Sequence, residues 1–253
     1  MNNNKPKVSL ITTCRNRANT IENTILSVLG QDYPNIEYII IDGLSKDGSV
    51  EIIRKYQDKI AEFVSEPDGG VYNAINKGIK LATGDIIGLV HSDDKLYETS
   101  TISRVVEMFN YSDADLIYGN GIYSNAKGVV RRVWYSGPFD KCKVRFGWLP
   151  LHTTVYVKRD AMQKYGLYNE TYRISSDTDF LIRYLYENDL KVCFMDRVVV
   201  DMRMGGLSTS MKYVMCKWKE DFCIFRRHGF SPLFLLVFKV FRKVPQFIKA
   251  YLR

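Results

Sequence analysis

The chain runs Gly-Asp-Ile-Ile-Gly-Leu-Val-His-Ser-Asp-Asp from residue 84 to residue 94, and this stretch decides the fold. Residues 85–91 are mostly apolar and have the length of a buried β-strand. The run ends at two adjacent carboxylates, Asp93 and Asp94. Open α/β sheets bind ligands outside the carboxyl ends of their strands. We therefore expect these acids to meet a metal ion, a hydrogen-bond donor or a helix N-terminus at that edge.

Strands and helices alternate before this stretch, which favours a parallel, doubly wound sheet with right-handed crossovers. The residue pattern predicts strands at 8–13, 38–41 and 60–65, and helices after a capping box at 19–22 and at 50–56 and 71–81.

The second half is less regular, but its pattern also mixes helices and strands. Helices are predicted at 98–109, 158–165, 177–188 and 212–228, strands at 115–118 and 191–203, and a hairpin around 125–128. The fold class is therefore α/β, with a Rossmann-like, mostly parallel central sheet covered by helices on both faces. We expect one domain over residues 1–210, with a first half at 1–97 and a second half at 98–210, and a basic helical segment at 211–253.

A second carboxylate, Asp42, ends the predicted second strand as Asp94 ends the fourth. If these strands are neighbours, the two acids form one polar pocket. The first strand leads into Cys14-Arg-Asn-Arg17, which lacks the glycines of a Rossmann dinucleotide loop. A bound diphosphate would then need another neutralising group. A divalent cation on Asp94 would serve, because hard cations bind carboxylate and phosphate oxygens together.

Several motifs together resemble those of family 2 glycosyltransferases in order and spacing. They are Val8-Ser-Leu-Ile-Thr-Thr-Cys-Arg-Asn-Arg17, Ile41-Asp-Gly-Leu-Ser-Lys-Asp-Gly-Ser49, Asp68-Gly-Gly-Val-Tyr-Asn-Ala-Ile-Asn-Lys-Gly78 and Ala82-Thr-Gly-Asp85 with Ser92-Asp-Asp94. Further along, His152-Thr-Thr-Val155, Ser176-Asp-Thr-Asp-Phe-Leu-Ile-Arg183 and Gly205-Gly-Leu-Ser208 resemble the acceptor half of bacterial polysaccharide members.

This resemblance implies a GT-A fold, a nucleotide-sugar donor of the UDP-sugar class, Mn²⁺ or Mg²⁺, and inversion at the anomeric carbon. The last motif of the first half is the family's form of the Asp-x-Asp motif, in which Asp94 binds the metal. Asp93 then faces the ribose or diphosphate. The remaining donor-binding residues implied by the resemblance are Thr12, Arg15, Asp42, which faces the base, Asp68 and Lys77.

The resemblance also aligns Asp177 with the general base that removes the proton from the acceptor hydroxyl. An alternative makes Asp177 a helix cap and Asp179 the base, and a second alternative makes both acids structural caps. His152 and Arg203 are candidate contacts to acceptor or diphosphate, with a structural histidine as the alternative for His152. We expect His91 to be a packed residue at the strand end.

The formal net charge is +8, and five basic residues but no acids lie within residues 230–253. Because the excess charge belongs largely to this tail, a nucleic-acid partner is not expected. The tail mixes large apolar residues with its cations, which is typical of an amphipathic helix on an anionic membrane surface. The alternative is a helix that packs on the domain or in an oligomer, whose state the sequence leaves open.

These observations predict an inverting glycosyltransferase that acts in bacterial surface polysaccharide biosynthesis. It would move a sugar to a hydroxyl of a glycan or lipid-linked oligosaccharide. The start of the chain lacks a signal peptide pattern, and its five cysteines are odd in number and scattered. We therefore expect a cytoplasmic enzyme on the inner face of the cytoplasmic membrane. The alternatives are a sugar nucleotidyltransferase and a non-catalytic, membrane-associated nucleotide-binding module.

Overall fold

Strands and helices alternate through the first half of the chain as predicted. The computed structural model describes residues 5–205, 211–232 and 235. The elements of the first half are β1 (Val8–Cys14), α1 (Ile21–Leu29), β2 (Ile36–Asp42), α2 (Ser49–Arg54), a 3-10 turn (Gln57–Lys59), β3 (Glu62–Ser65), α3 (Val71–Leu81), β4 (Ile86–Leu89) and β5 (Lys95–Leu96).

The second half contains the predicted hairpin and a short strand that the sequence pattern did not separate. Its elements are α4 (Thr101–Ser112), β6 (Leu116–Ser124), β7 (Val130–Trp134), α5 (Lys141–Val144), a 3-10 turn (His152–Thr154), β8 (Tyr156–Lys158), α6 (Arg159–Tyr165), α7 (Ser176–Ile182), a π-helical turn (Arg183–Glu187), β9 (Val192–Arg203) and α8 (Met211–Arg227).

The strands form one sheet in the order β3-β2-β1-β4-β8-β6-β9-β5, with β7 paired to β6. Pairing is parallel from β3 through β4, as predicted for the first half. Beyond β4 the sheet is mixed, because β8 is antiparallel to both β4 and β6 while β6 and β9 are parallel. The expectation that the strands carrying Asp42 and Asp94 are neighbours is wrong, since β1 lies between β2 and β4.

Two hydrophobic layers cover the two faces of this sheet. Along β2, Ile39 and Ile41 pack into one layer, whereas Tyr38 and Ile40 pack into the other. Successive side chains of a strand point to opposite faces, so a continuously apolar strand must be covered on both sides. The helices on both faces provide that cover.

Helix α1 holds the acidic turn after β4, although the predicted capping box at 19–22 is wrong. The helix begins at Ile21, and the side chain of the capping residue Thr20 makes no capping hydrogen bond. The Thr20 hydroxyl instead donates to the Ser92 carbonyl at 2.8 Å, and the Thr24 hydroxyl donates to the Asp94 carbonyl at 2.7 Å. The two threonines thereby fix the backbone that presents the acids.

Gly88 in β4 allows the cross-strand ring of Tyr156 to pack against the β4 backbone, and a Cβ there would overlap that ring. We expect Gly88→Ala to lower the free energy of unfolding by about 1–3 kcal/mol, because the buried ring must shift. Chemical denaturation measures this change. Gly69→Ala is the matched control, since a Cβ at Gly69 makes only ordinary contacts with Asn73. Equal stability of the two variants would contradict the packing argument.

Candidate active site

Asp94 lies at the carboxyl edge of the sheet with one oxygen that lacks a hydrogen-bond partner. The residue is 1% exposed, and its Oδ1 accepts a hydrogen bond from the Arg203 backbone N–H at 3.1 Å. Its Oδ2 is buried and has no hydrogen-bond partner among the described residues. Burial, followed by the charge of Asp93, raises the pKa of Asp94 well above its usual value. An unsatisfied buried carboxylate oxygen is costly unless a further group binds it.

A divalent cation fits the free oxygen of Asp94. Within residues 5–205, 211–232 and 235, no group of three or more His, Cys, Asp or Glu side chains is placed to hold a metal ion. The protein would therefore supply few ligands, which is typical of Mg²⁺ sites completed by substrate phosphates and water. Asp93 is more exposed than Asp94, and its Oδ2 lies 3.8 Å from Nε of Arg17.

Three of the predicted donor-binding residues meet at the ends of β1, β2 and β3. Asp42 is fully buried and accepts hydrogen bonds from the Ser45 backbone N–H at 3.0 Å and the Ser65 hydroxyl at 2.7 Å. The Asp68 carboxylate lies over Gly43, where a Cβ would overlap it, and its Oδ1 is 3.7 Å from Nη1 of the exposed Arg15. These groups line one side of the cleft.

Thr12 and Lys77 make contacts that fix the backbone near the strand ends. The buried Thr12 hydroxyl donates to the Val90 carbonyl at 2.7 Å and so joins the end of β1 to the end of β4. The Lys77 ammonium lies 2.6 Å from the Glu66 carboxylate and donates to the Pro67 carbonyl at 2.9 Å. Lys77 thus fixes the loop that carries Asp68.

Asp177, the predicted base, lies in the first turn of α7 beside the predicted contact residue His152. Nδ1 of His152 is 3.4 Å from Oδ2 of Asp177. Oδ1 of Asp177 is 3.4 Å from the Tyr72 hydroxyl, which donates to the Ile174 carbonyl at 2.7 Å. The structure therefore brings together two candidates that lie on separate predicted elements.

His91 belongs to the same cluster, and its expected role as a mere packing residue is too simple. Its Nε2 is 2.9 Å from Nε2 of His152. Burial and then the neighbouring His152 lower the pKa of His91 to about 3, and burial lowers the pKa of His152 as well. Both rings are then neutral near pH 7. A His152 ring protonated at Nδ1 faces the carboxylate and accepts from His91 at Nε2.

Asp179 points away from His152 and into a buried ion cluster. It is 2% exposed, with one oxygen 3.0 Å from Nε of Arg183 and the other 3.0 Å from Nε2 of His228. Burial would raise the pKa of Asp179, but hydrogen bonds from His228 and Arg183 hold it below its usual value. Asp177 is therefore better placed than Asp179 to act as a base or to contact an acceptor.

The loop before Asp177 is held by Glu220 of α8, a residue that the sequence analysis did not single out. The backbone N–H groups of Arg173, Ile174 and Ser175 donate to the Glu220 carboxylate at 2.7, 2.8 and 2.9 Å. On the next residue of α8, Asp221 accepts from the Thr178 hydroxyl at 3.3 Å. Helix α8 is thus part of the framework of the site and not only an appendage.

The β6–β7 hairpin places an aromatic and cationic cluster beside both acids. The guanidinium carbon of Arg132 lies 4.9 Å from the ring centre of Tyr123 and 4.7 Å from that of Trp134. Burial raises the pKa of Tyr123 to about 12, Arg132 opposes the shift, and the charges of Asp94 and Asp177 add to it. The charges of Asp94 and Asp177 therefore both act on the Tyr123 hydroxyl.

Arg203 contributes its backbone to the site, because its N–H binds Asp94 while its side chain is exposed. The motif that follows falls partly outside the described residues. Gly205 has a positive φ of 104°, and residues 206–208 of the motif are not among those described.

The model of Glycosyl transferase family 2 matches residues 9–171 of the chain. The protein belongs to glycosyl transferase family 2. A PGL/p-HBAD biosynthesis glycosyltransferase of Mycobacterium tuberculosis is 29% identical to this family 2 enzyme over 211 residues, covering 81% of this chain and 80% of the relative. An uncharacterized glycosyltransferase of Rickettsia typhi is 30% identical over 219 residues, covering 83% of this chain and 67% of the relative.

Solved structures confirm the GT-A fold of this family 2 enzyme. S. aureus TarS superposes with a TM-score of 0.69 at 18% identity, covering 86% of this chain and 39% of that chain. A shorter TarS structure in complex with UDP-GlcNAc superposes with a TM-score of 0.69, covering 84% of this chain and 65% of that chain. The mannosyltransferase PcManGT from Pyrobaculum calidifontis, in complex with GDP-Man and Mn²⁺, superposes with a TM-score of 0.64 at 16% identity. The match covers 98% of this chain and 74% of that chain.

The family assignment decides between the general functions considered for the sequence. The protein is a transferase of the glycosyltransferase class, so neither a nucleotidyltransferase nor a non-catalytic binding module describes it.

The buried cluster around His228 gives a pH-dependent stability prediction. Burial opposes protonation of His228, but hydrogen bonds to Asp179 and Glu187 raise its pKa above the ordinary value. Its stabilising contribution is therefore complete below the unfolded-state pKa and is lost as pH rises through the folded-state pKa. We expect His228→Gln to lower the free energy of unfolding by about 1–3 kcal/mol near pH 6 and by less near pH 9.

Denaturant unfolding at the two pH values measures this difference. Asp113→Asn is the control, because Asp113 pairs with Lys191 at an exposed site where such pairs contribute little. A stability deficit of His228→Gln that grows with pH would contradict the assignment.

Proposed function

We propose that the protein is an inverting glycosyltransferase that moves a sugar from a nucleotide-diphosphate sugar, of the UDP-sugar class, to an acceptor hydroxyl. The observation that carries this proposal is the pairing of two differently placed carboxylates around one cleft. Asp94 has a buried oxygen available to a cation, and the contact between His91 and His152 links the turn that carries Asp94 to the side of Asp177. The charges of both carboxylates reach Tyr123.

The donor side would be formed by residues 1–97. Arg15, Asp42 and Asp68 lie together where a nucleoside would bind, and Asp93 lies next to Asp94 where a ribose or diphosphate would follow. Asp94 would hold Mn²⁺ or Mg²⁺, which supplies charge stabilisation for the departing diphosphate when bound. The mannosyltransferase with GDP-Man and Mn²⁺ and the TarS complexes with UDP and UDP-GlcNAc support this class of donor and metal.

The acceptor side would be formed by residues 98–210, with Asp177 as the general base. The acceptor hydroxyl attacks C1 of the sugar from the face opposite the diphosphate, and Asp177 accepts the proton that this hydroxyl loses. His152 is a positioning residue, because a proton on its Nδ1 would orient the carboxylate oxygen 3.4 Å away. His91 in turn supports the His152 ring through the contact between their Nε2 atoms.

The acceptor is proposed to be a growing glycan or lipid-linked oligosaccharide of a bacterial surface polysaccharide. The Mycobacterium tuberculosis relative is named a PGL/p-HBAD biosynthesis glycosyltransferase, which supports a role in a biosynthetic glycosyl transfer. The expected membrane-binding tail at 230–253 lies almost entirely outside the described residues. Among those described, no helix is long and apolar enough to cross a bilayer. We propose a cytoplasmic enzyme on the inner face of the cytoplasmic membrane because the tail combines five basic residues with large apolar ones.

A thermal-shift screen of nucleotide sugars with Mn²⁺ tests the donor proposal. We expect a UDP-sugar to raise the melting temperature in the presence of Mn²⁺, because a ligand that binds only the folded state stabilises it by mass action. Asp94→Asn should lose the metal-dependent part of that shift. Asp189→Asn, at an exposed surface pair with Lys141, should keep it. A full shift for Asp94→Asn would exclude Asp94 as the metal ligand.

A second experiment separates the base from the donor site. Asp177→Asn should bind the donor with an unchanged thermal shift, yet its transfer rate should fall by about a factor of 100 or more, because the amide accepts no proton. Transfer is measured as release of nucleoside diphosphate in the presence of acceptor, again with Asp189→Asn as the control. Wild-type transfer by Asp177→Asn would place the base elsewhere.

A further inference from the structure

Helix α8 has two faces of different chemistry, and its inner face is committed to the catalytic framework. Glu220 binds the loop before Asp177, Asp221 contacts Thr178, and Ile224 and Phe225 are buried in the core. Both acidic residues of the helix are thus used on the protein side.

The opposite face of α8 exposes a stripe of large apolar side chains. Met215 is 68% exposed, Trp218 is 47% exposed and Phe222 is 42% exposed. Their spacing of three and four residues places them on one side of a helix. Most exposed large side chains elsewhere on the described surface are more widely scattered, whereas these three are neighbours on one helix. We call them the α8 stripe.

Cations flank the α8 stripe, while the acids of the helix lie on its other side. Lys219 and Arg226 are exposed and fall on the outer face by their helical spacing. The helix carries five basic residues and two acids over 211–227, and the two acids are Glu220 and Asp221. The outer face therefore combines apolar and cationic side chains, which matches a lipid surface with anionic headgroups.

We propose that the α8 stripe, with Lys219 and Arg226, is a contact surface for an anionic membrane. Met215, Trp218 and Phe222 enter the interfacial region, and the cations pair with lipid phosphates. A stable protein partner fits this surface less well. The area of three apolar side chains bordered by like charges is far smaller than a standard protein interface. Residues 230–253, which follow α8 in sequence, add five further basic residues and no acids.

This surface has a consequence for the active site that rests on the proposed function. Because Glu220 holds the loop before Asp177 from the inner face of α8, a membrane on the outer face lies one helix diameter from the base. A lipid-linked acceptor would then reach Asp177 without leaving the bilayer surface. Lys217, whose charge lowers the pKa of His152, lies on the site-facing side of the same helix.

Vesicle flotation of the full chain tests the proposal. The probes are phosphatidylcholine vesicles with and without phosphatidylglycerol. We expect the wild-type protein to bind the anionic vesicles, and the triple variant Met215→Ser/Trp218→Ser/Phe222→Ser to bind them at least about tenfold more weakly, because apolar area and charge both drive interfacial binding. The double variant Lys219→Glu/Arg226→Glu should show a loss of similar size, and high salt should weaken vesicle binding of the wild type because it screens the same cations.

Matched controls change the same chemistry elsewhere on the surface. Leu26→Ser/Tyr111→Ser removes exposed apolar side chains from α1 and α4, and Lys55→Glu/Lys59→Glu makes the same charge change near α2. Both controls should bind vesicles as the wild type does. Brominated lipids should quench the fluorescence of the wild type more than that of Trp218→Phe, since Trp218 would be the tryptophan in the interface.

Each other outcome overturns the proposal in a recognisable way. Unchanged flotation of the triple variant assigns membrane binding to another segment. A dimer that becomes a monomer in the triple variant, measured by light scattering, makes the stripe a protein interface. A fall in its melting temperature of several degrees shows that the stripe packs against the chain itself. The nucleotide-induced thermal shift is scored separately, so failure of the donor proposal does not affect the vesicle result.

Discussion

The structure depends most on a buried carboxylate, Asp94, that the fold itself does not fully satisfy. One of its oxygens accepts a backbone N–H from the end of β9, and its own carbonyl accepts from Thr24 of α1. Elements from both halves of the chain therefore converge on one residue. An unsatisfied carboxylate oxygen in that position costs free energy unless a proton or a bound cation completes it.

The proposed donor and acceptor sides are built by different means. The donor side follows from parallel strands whose ends meet at one edge, with Asp42, Asp68 and Arg15 on successive loops. The acceptor side depends on a helix that arrives late in the chain, because Glu220 fixes the loop before Asp177. His152 and His91 then join the two sides through a direct contact between their rings.

Much of the parallel first half of the sheet was predictable because its signals are local. The apolar run ending in Asp93–Asp94, the alternation of elements and the absence of glycines after β1 can all be recognised within short windows of sequence. The contacts among His91, His152 and Asp177 join distant segments, and no residue spacing in the sequence predicts them. The role of Glu220 was not predicted for the same reason. A charged residue on an amphipathic helix is usually exposed to solvent, and the sequence gives no sign that it binds a remote loop. The order of the strands also depended on pairing that residue patterns do not specify.

The attachment of α8 also bears on when the enzyme becomes competent during synthesis. During translation, the strands β1 to β4, the 3-10 turn of His152 and the acids of α7 are synthesised before Glu220. Until then the three N–H groups of residues 173–175 lack the carboxylate that gathers them. The nascent chain can thus form the ends of β1 to β4 before α8 is complete, and the formation of α8 then supplies the carboxylate that holds the loop at residues 173–175.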